Sequence, residues 1–478
     1  MDALASRFVA GLAHGEADPV ALRRAGEPDP EAGAAAFLSA SRDPDLALSC
    51  AMWAPALLRT ARPGFGAHCL EELARHGRER GGERLDVTRF AALPGLLGSS
   101  SFLARLLVRH PTWIAELAGP LPDAPPARAI DPDWDAIREA KYTGLLRIAA
   151  RDLLARPFAG SLRELSDLAD RCLAAALACA ARETEVEAPA LLALGKLGGR
   201  ELNFSSDVDL LFVYEAPATA DPLEHNHAVA RLIRRLKMAL EVRNEDGFGY
   251  RVDLGLRPEA DTGVLANPID VAIGYYEGFG AEWERQMLIR LRPVAGPLDV
   301  GESFAREIAP FVYRRLIDPG VMRSVRDMKA RIENERRSAG RDLELDLKEG
   351  PGGIRDVEFL VQSLQLFFGG RDLALRTGNV LDALAALARL EHLPEATASA
   401  LASAYTWLRR AEHALQLAEE QQTARFPNER AGQIALARRM GYAEPEAEAA
   451  RTGLLEDWTA ARGEVRSHFE ALVLRSRE

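Results

Sequence analysis

Apolar residues recur along most of this chain at spacings of three and four, the pattern of helices with one buried face. In "SFLARLLVRHPTWIAEL" (101–117) the repeat is plain, and a long helical stretch is predicted from about 133 to 184, through "LSDLADRCLAAALACAARE". Near the other end, Leu401, Tyr405, Leu408 and Leu415 form one core stripe and "LDALAALARL" (381–390) another. Between these helical regions the period changes. "APALLALG" (188–195) and "SDVDLLFVYE" (206–215) are short apolar runs bounded by loop residues, which predicts buried strands. "HNHAVARLIRRLKMALEV" then predicts a helix, and in "GYRVDLGLRP" (249–258) Tyr250, Val252 and Leu254 alternate with Arg251 and Asp253, as in a strand with one polar face. "TGVLANP" is read as a loop. The chain therefore divides into a helical region 1–130 jointed by segments such as "GEPDPEAG", a region 131–310 with an α/β core at about 187–300, and a helical bundle 311–478. The expected fold class is α+β, predominantly helical.

Composition narrows the functions. With 478 residues there is room for several domains, and a formal net charge of −11 excludes nonspecific nucleic-acid binding through an overall basic field. An anionic ligand must be met by a local site or a metal. Cys50, Cys69, Cys172 and Cys179 form no CxxC pair, so buried thiols are expected rather than a disulfide or a metal site. Neither a basic, apolar leader nor an apolar run long enough to span a bilayer is present, which makes the cytoplasm the default location and membrane contact unexpected.

The chemistry concentrates in "GKLGGRELNFSSDVDLLFVYE" (195–215). Side chains at i and i+2 of a strand share a face, so Asp207 and Asp209 project together. Adjacent carboxylates repel unless a positive charge sits between them, and Mg²⁺ suits one or two carboxylates plus phosphate oxygens. Upstream, Gly195, Lys196, Gly198 and Gly199 offer backbone N–H groups and a lysine for phosphate. Asp253 could add a third carboxylate from a neighbouring strand, with Arg251 and Arg257 beside it as phosphate contacts. A D-x-D in a strand is by itself common and mostly structural, and "GKLGG" is neither a P-loop nor a dinucleotide fingerprint. His225 and His227 resemble a metal pair but fall at an expected helix start. The informative feature is the order: strand, Gly/Lys turn, D-x-D strand, helix, then a strand bearing Asp and Arg.

That order resembles the nucleotidyltransferase superfamily that includes DNA polymerase β and the aminoglycoside nucleotidyltransferases. Together "GKLGGRELNFSSDVDLLFVYE", "YRVDLGLRPEADTG", "EWERQ", "EGPGGIRDVEFLVQSLQL" and the upstream "LLGSSSFLARLLVRHP" are similar to motifs of the bacterial glutamine synthetase adenylyltransferase/adenylyl-removase family, over about 96–430. Members usually carry two related halves, one removing AMP from glutamine synthetase and one adding it, and this chain is long enough for one. The Asn and Ser-Ser of "ELNFSSDVD", with Ser206 directly before Asp207, resemble the removase half. The resemblance implies a polymerase β-like catalytic domain and a site of Asp207, Asp209 and Asp253 holding Mg²⁺, as one or two ions. It also implies phosphate and ADP or ATP as substrates, products or effectors, glutamine synthetase as protein substrate and a PII-type signal protein as regulator. The implied reaction is phosphorolysis of adenylyl-tyrosine to tyrosine and ADP. Two alternatives stand beside it: a forward adenylyltransferase, and a non-catalytic module binding PII or nucleotide. In "GPGGIRDVEFLVQSLQLFF", Ile354, Val357, Val361, Leu364 and Phe368 make a buried stripe. Arg355, Glu358, Gln362 and Gln365 make a polar one, expected to line the active-site cleft.

Overall fold

The computed structural model describes residues 2–79, 84–119, 129–154, 157–216, 221–315 and 342–474, with Leu121, Thr219 and scattered positions from 329 to 340. Helices dominate, around one small mixed sheet of five strands. These are β1 (Ala190–Ala193), β2 (Val208–Tyr214), β3 (Val252–Asp253), β4 (Asn267–Pro268) and β5 (Arg292–Ala295), in the order β3-β2-β1-β5 with β4 also paired to β2. β1 runs antiparallel to β2 and β5, whereas β3 and β4 run parallel to β2.

The strand period sorts side chains onto two cores. Leu210 and Phe212 of β2 join a large cluster with the helices before the sheet, while Leu211 and Val213 join a second cluster with the helices Ile269–Phe279 and Leu298–Val312. The first cluster runs without a break from Leu4 through Leu97, Leu145 and Leu173 to Phe212. The division expected at residue 130 therefore falls inside one shared core. A third cluster, from Leu347 to Phe469, fills the C-terminal bundle. The expected helical stretch 133–184 consists of two helices, Trp134–Leu153 and Phe158–Thr184. Pro157 stands just before the second, where its fixed φ suits a helix start.

β3 is shorter than the alternation of 250–254 predicts. Its outer backbone edge is taken by the helix Pro222–Glu241: Val252 N–H donates to Glu241 Oε1 (3.0 Å), and Lys237 Nζ donates to Val252 O. Side chains thus replace a ladder partner. Tyr250, Val252 and Leu254 are still all buried, as the alternation requires. β4 falls in the segment read as a loop, and β5 contains Pro293; neither is long enough to carry a period.

The ends of the chain are tied together. Ser100 Oγ donates to Leu417 O (2.6 Å), capping its own helix at Leu103 N–H as well, and Arg24 pairs with Glu446. Cys69, Cys172 and Cys179 are buried and all four cysteines are free, with burial pushing the Cys172 thiol up to about 12. Among the described residues no helix is long and apolar enough to cross a membrane.

Candidate active site

β2 and β3 fix the acidic centre by register. Asp209 pairs with Asp253 and Val208 with Val252 across a parallel ladder, so both carboxylates leave the same face; Asp207 lies directly before β2. Asp209 has the parity of Leu211 and Val213, which places it at the end of an apolar row. Burial raises its carboxyl to about 6, with the charges of Asp253 and Asp207 adding to the effect and Lys348 and Lys196 opposing it.

Each of the other two carboxylates is held by N–H groups. Asp207 Oδ1 accepts from Arg251 Nε (2.5 Å) and Oδ2 from Gln422 Nε2 (2.7 Å), while Arg251 Nη2 donates to Ser205 O (2.6 Å). Asp253 Oδ1 accepts from Gly255 N–H (2.7 Å). Accordingly, among the described residues no three His, Cys, Asp or Glu side chains stand ready to hold a metal ion, which differs from the convergence expected of the triad. Like charges side by side separate and take neutral or cationic donors instead. The donor set itself fits a divalent cation. Three carboxylates act on one another electrostatically, and the charges of Asp253 and Asp207 add to the burial that raises Asp209. His225 packs on Tyr214 instead of joining the triad.

The turn after β1 is shaped by this centre. Gly195 has φ of 53°, and a Cβ there would lie 2.0 Å from Asp209 Oδ2. No other residue fits. Gly198 packs against Arg290 O and Gly199 against Gly378 O. Their amides are not free for a phosphate: Gly198 N–H donates to Leu194 O (2.8 Å) and Gly199 N–H to Gly195 O (3.2 Å). These glycines serve close approach of backbones rather than exposure of donors. Lys196 Nζ donates to Glu412 Oε1 (2.6 Å), and burial brings the ammonium down to about 8, only partly offset by that carboxylate. Ser206 Oγ accepts from Asn203 N–H (3.3 Å), and Arg257 Nη1 donates to Leu254 O (2.6 Å), bracing the loop after β3.

Behind Lys196 lies a buried ionic network that joins the sheet to the C-terminal bundle. Glu412, on the helix Glu395–Glu419, also accepts from Asn203 Nδ2 (2.6 Å) and pairs with Arg409 (3.3 Å). Arg409 Nη2 donates to Asn203 Oδ1 (2.9 Å), and Arg290 bridges Glu201 (3.3 Å) and Glu358 (3.0 Å). Burial alone would raise Glu358, but Arg290 and Arg409 outweigh it and hold the carboxyl at about 2. Gln286 donates to Gln362 (2.8 Å), and Gln365 to Leu375 O and Thr377 O (both 2.7 Å). The polar stripe of the helix Ile354–Phe368 thus docks this helix on its neighbours instead of lining the cleft. A desolvated arginine there needs carboxylates, and the stripe supplies Glu358 to Arg290.

On the opposite flank of the triad a cavity of about 950 Å³ opens beside Asp207 and Asp253. Arg234, Arg243, Phe248, Arg251 and Gln422 are among its walls; Asp209 and the Gly195 turn are not. Three groups near the triad escaped the sequence: Gln422, Glu412 and Lys348. The first two arrive from a distant helix and its following strap, with no motif to mark them. Lys348 stands one residue before the "EGPGGIRD" motif, and that adjacency was the available signal.

Two families match the chain. Residues 90–307 match "Glutamate-ammonia ligase adenylyltransferase" and residues 326–473 match "GlnD PII-uridylyltransferase". Among curated proteins, the bifunctional glutamine synthetase adenylyltransferase/adenylyl-removing enzyme of Nitrosococcus oceani is 36% identical over 412 residues, covering 78% of this chain and 41% of its own. That of Thioalkalivibrio sulfidiphilus is 38% identical over 415 residues, covering 79% and 42%. That of Xanthomonas campestris is 38% identical over 397 residues, covering 78% and 41%. The chain spans about two fifths of the length of these relatives.

Proposed function

We propose that this chain, which through residues 90–307 belongs to the glutamate–ammonia ligase adenylyltransferase family, removes AMP from adenylylated glutamine synthetase by phosphorolysis. The observation that carries the reading is the in-register pairing of Asp209 with Asp253, two residues beyond Asp207, beside a turn that only glycine can make. The removase direction is favoured by "ELNFSSD", which resembles that half of the family.

In the reaction an oxygen of inorganic phosphate attacks the AMP phosphorus, the bond from phosphorus to the tyrosine oxygen breaks, and ADP and tyrosinate result; solvent returns the proton to the phenolate. Transfer at phosphorus asks mainly for positioning and charge neutralisation. When bound by Asp207, Asp209 and Asp253, Mg²⁺ would supply the positive charge that stabilises the transferred group. Arg251, which donates to Asp207 and lines the cavity with it, would offer its remaining N–H groups to a phosphate oxygen. Gln422 orients Asp207 from the C-terminal bundle. Lys196 serves the site through Glu412 and the turn it anchors, rather than as a free phosphate ligand.

The test uses the purified chain with adenylylated glutamine synthetase and Mg²⁺. ADP should form only when phosphate is present, at a rate saturating in phosphate. Consumption of ATP with pyrophosphate release and labelling of unmodified glutamine synthetase would establish the forward transferase instead. The match of residues 326–473 to a PII-uridylyltransferase family favours a PII-type signal protein as regulator, read as a change in that rate when PII is added.

A further inference from the structure

The cavity beside the triad carries more positive charge than the triad employs. Of its cations, Lys237 is held by Glu241 (2.7 Å), Arg251 by Asp207 (2.5 Å), and Arg257 by the carbonyls of Leu254 and Gly263. Arg234 and Arg243 differ. Both are exposed at the rim, and neither has a carboxylate within ion-pair distance among the described residues. Arg243 is held in place by stacking on Phe248, 5.0 Å from the ring centroid, with Arg251 on the same ring at 5.1 Å. If Asp207 and Asp253 hold a cation, the wall keeps a surplus of guanidinium groups with no internal counter-charge.

The shape points the same way as the charge. At about 950 Å³ the cavity is at the upper end of small-molecule sites, roughly 300–1,000 Å³, and it is open. Its rim continues into apolar surface, because Met238 and Val242, 58% and 51% exposed, follow Arg234 at intervals of four residues. Two separated guanidiniums beside apolar side chains suit an extended chain carrying several charges better than one compact anion. In a protein of net charge −11, such a cluster also offers an acidic partner a local point of entry.

We propose that this cavity receives an acidic segment of the protein acceptor, whose tyrosine reaches the triad while flanking carboxylates pair with Arg234 and Arg243. The proposal rests on the adenylyl-transfer reading and adds to it how the protein substrate is chosen. The nucleotide chemistry lies at the triad; selection lies at the rim.

The experiment compares the full chain with its Arg234→Glu/Arg243→Glu variant, after thermal melts show that both are folded. With adenylylated glutamine synthetase, KM should rise by about tenfold or more while kcat stays within about twofold, since rim charges govern encounter and orientation. A second measurement needs no turnover: fluorescence anisotropy of a labelled peptide with tyrosine between glutamates, and of its glutamine counterpart. Wild type should bind the glutamate peptide at least about tenfold tighter at low salt, the variant should lose that preference, and added salt should erase it. Equal binding of the two peptides by wild type would overturn the proposal. So would an unchanged KM, or a fall in kcat alone, which would place the arginines on the reacting phosphate. Wild type that forms no ADP yet still prefers the glutamate peptide would refute the phosphorolytic reading and leave the docking surface supported.

Discussion

The two flanks of the aspartate triad use positive charge in opposite ways. On the inner flank Lys196, Arg290 and Arg409 are each paired with carboxylates, the arginines nearly stripped of water and the lysine largely so. On the outer flank Arg234 and Arg243 stand in solvent at the rim of the cavity without carboxylate partners among the described residues. The difference shows that residue type does not decide what a cation does; its pairing does. A buried, satisfied lysine or arginine fixes one element against another. An exposed, unsatisfied one is available to a ligand. Lys196 follows the first glycine of a phosphate-like turn and yet belongs structurally to the bundle behind it.

The largest effect should come from breaking the inner flank. Glu412→Ala leaves Lys196 and Arg409 without a carboxylate at ion-pair distance among the described residues and should cost about 3–5 kcal/mol of stability, measured by urea denaturation. A loss under about 1 kcal/mol would mean that water reaches this network and that the contrast between flanks is weaker than the geometry indicates. Replacing both partners together, Lys196→Met with Glu412→Leu, should recover the part of that loss owed to Lys196, while Arg409 and Asn203 still lack their acceptor.

Between the flanks, Asp209→Asn should leave the fold intact and lower turnover about a thousandfold, roughly 4 kcal/mol of transition-state stabilisation. Its melting temperature without Mg²⁺ should not fall, because a carboxylate repelled by Asp253 and Asp207 becomes neutral. Wild-type-like turnover would remove Asp209 from the chemistry. Gln422→Ala deletes the one bond that the strap after the helix Glu395–Glu419 makes to Asp207, and should cost about 1 kcal/mol in kcat/KM, some fivefold. Gln422→Glu should be worse, since it sets a second anion against Asp207. The smallest effect is expected from Arg105→Ala, which removes an exposed pair with Glu419 and should change stability by no more than about 1 kcal/mol.

The parts of this molecule that were legible in its sequence are those written in a local period. β1, β2 and the helix Pro222–Glu241 appear where the pattern predicts them, and Asp209 lies on β2 in register with Asp253. Asp253 was legible as alternation, although its strand shrank when Glu241 and Lys237 took the edge of Val252. What sequence could not reveal are pairings between distant segments. Nothing around Lys196 announces Glu412, 216 residues away, and nothing around Asp207 announces Gln422, 215 away. The same holds at 130, where the sequence marks off a helical region by Pro- and Gly-rich joints but not that its apolar faces merge into the core of the sheet. Joints mark where helices turn, whereas cores are decided by what the helices then meet.

The tie between Ser100 and Leu417 has a consequence for how the chain is made. The two residues are 317 positions apart. At roughly 5–20 residues per second, a ribosome needs on the order of half a minute after Ser100 emerges to deliver its acceptor. Throughout that interval the flank of the helix Ser101–Arg109 that meets the helix Glu395–Glu419 stays uncovered. The nascent chain should therefore engage a holding chaperone early and release it late, with release timed by synthesis of the helix Glu395–Glu419 rather than by completion of the catalytic sheet.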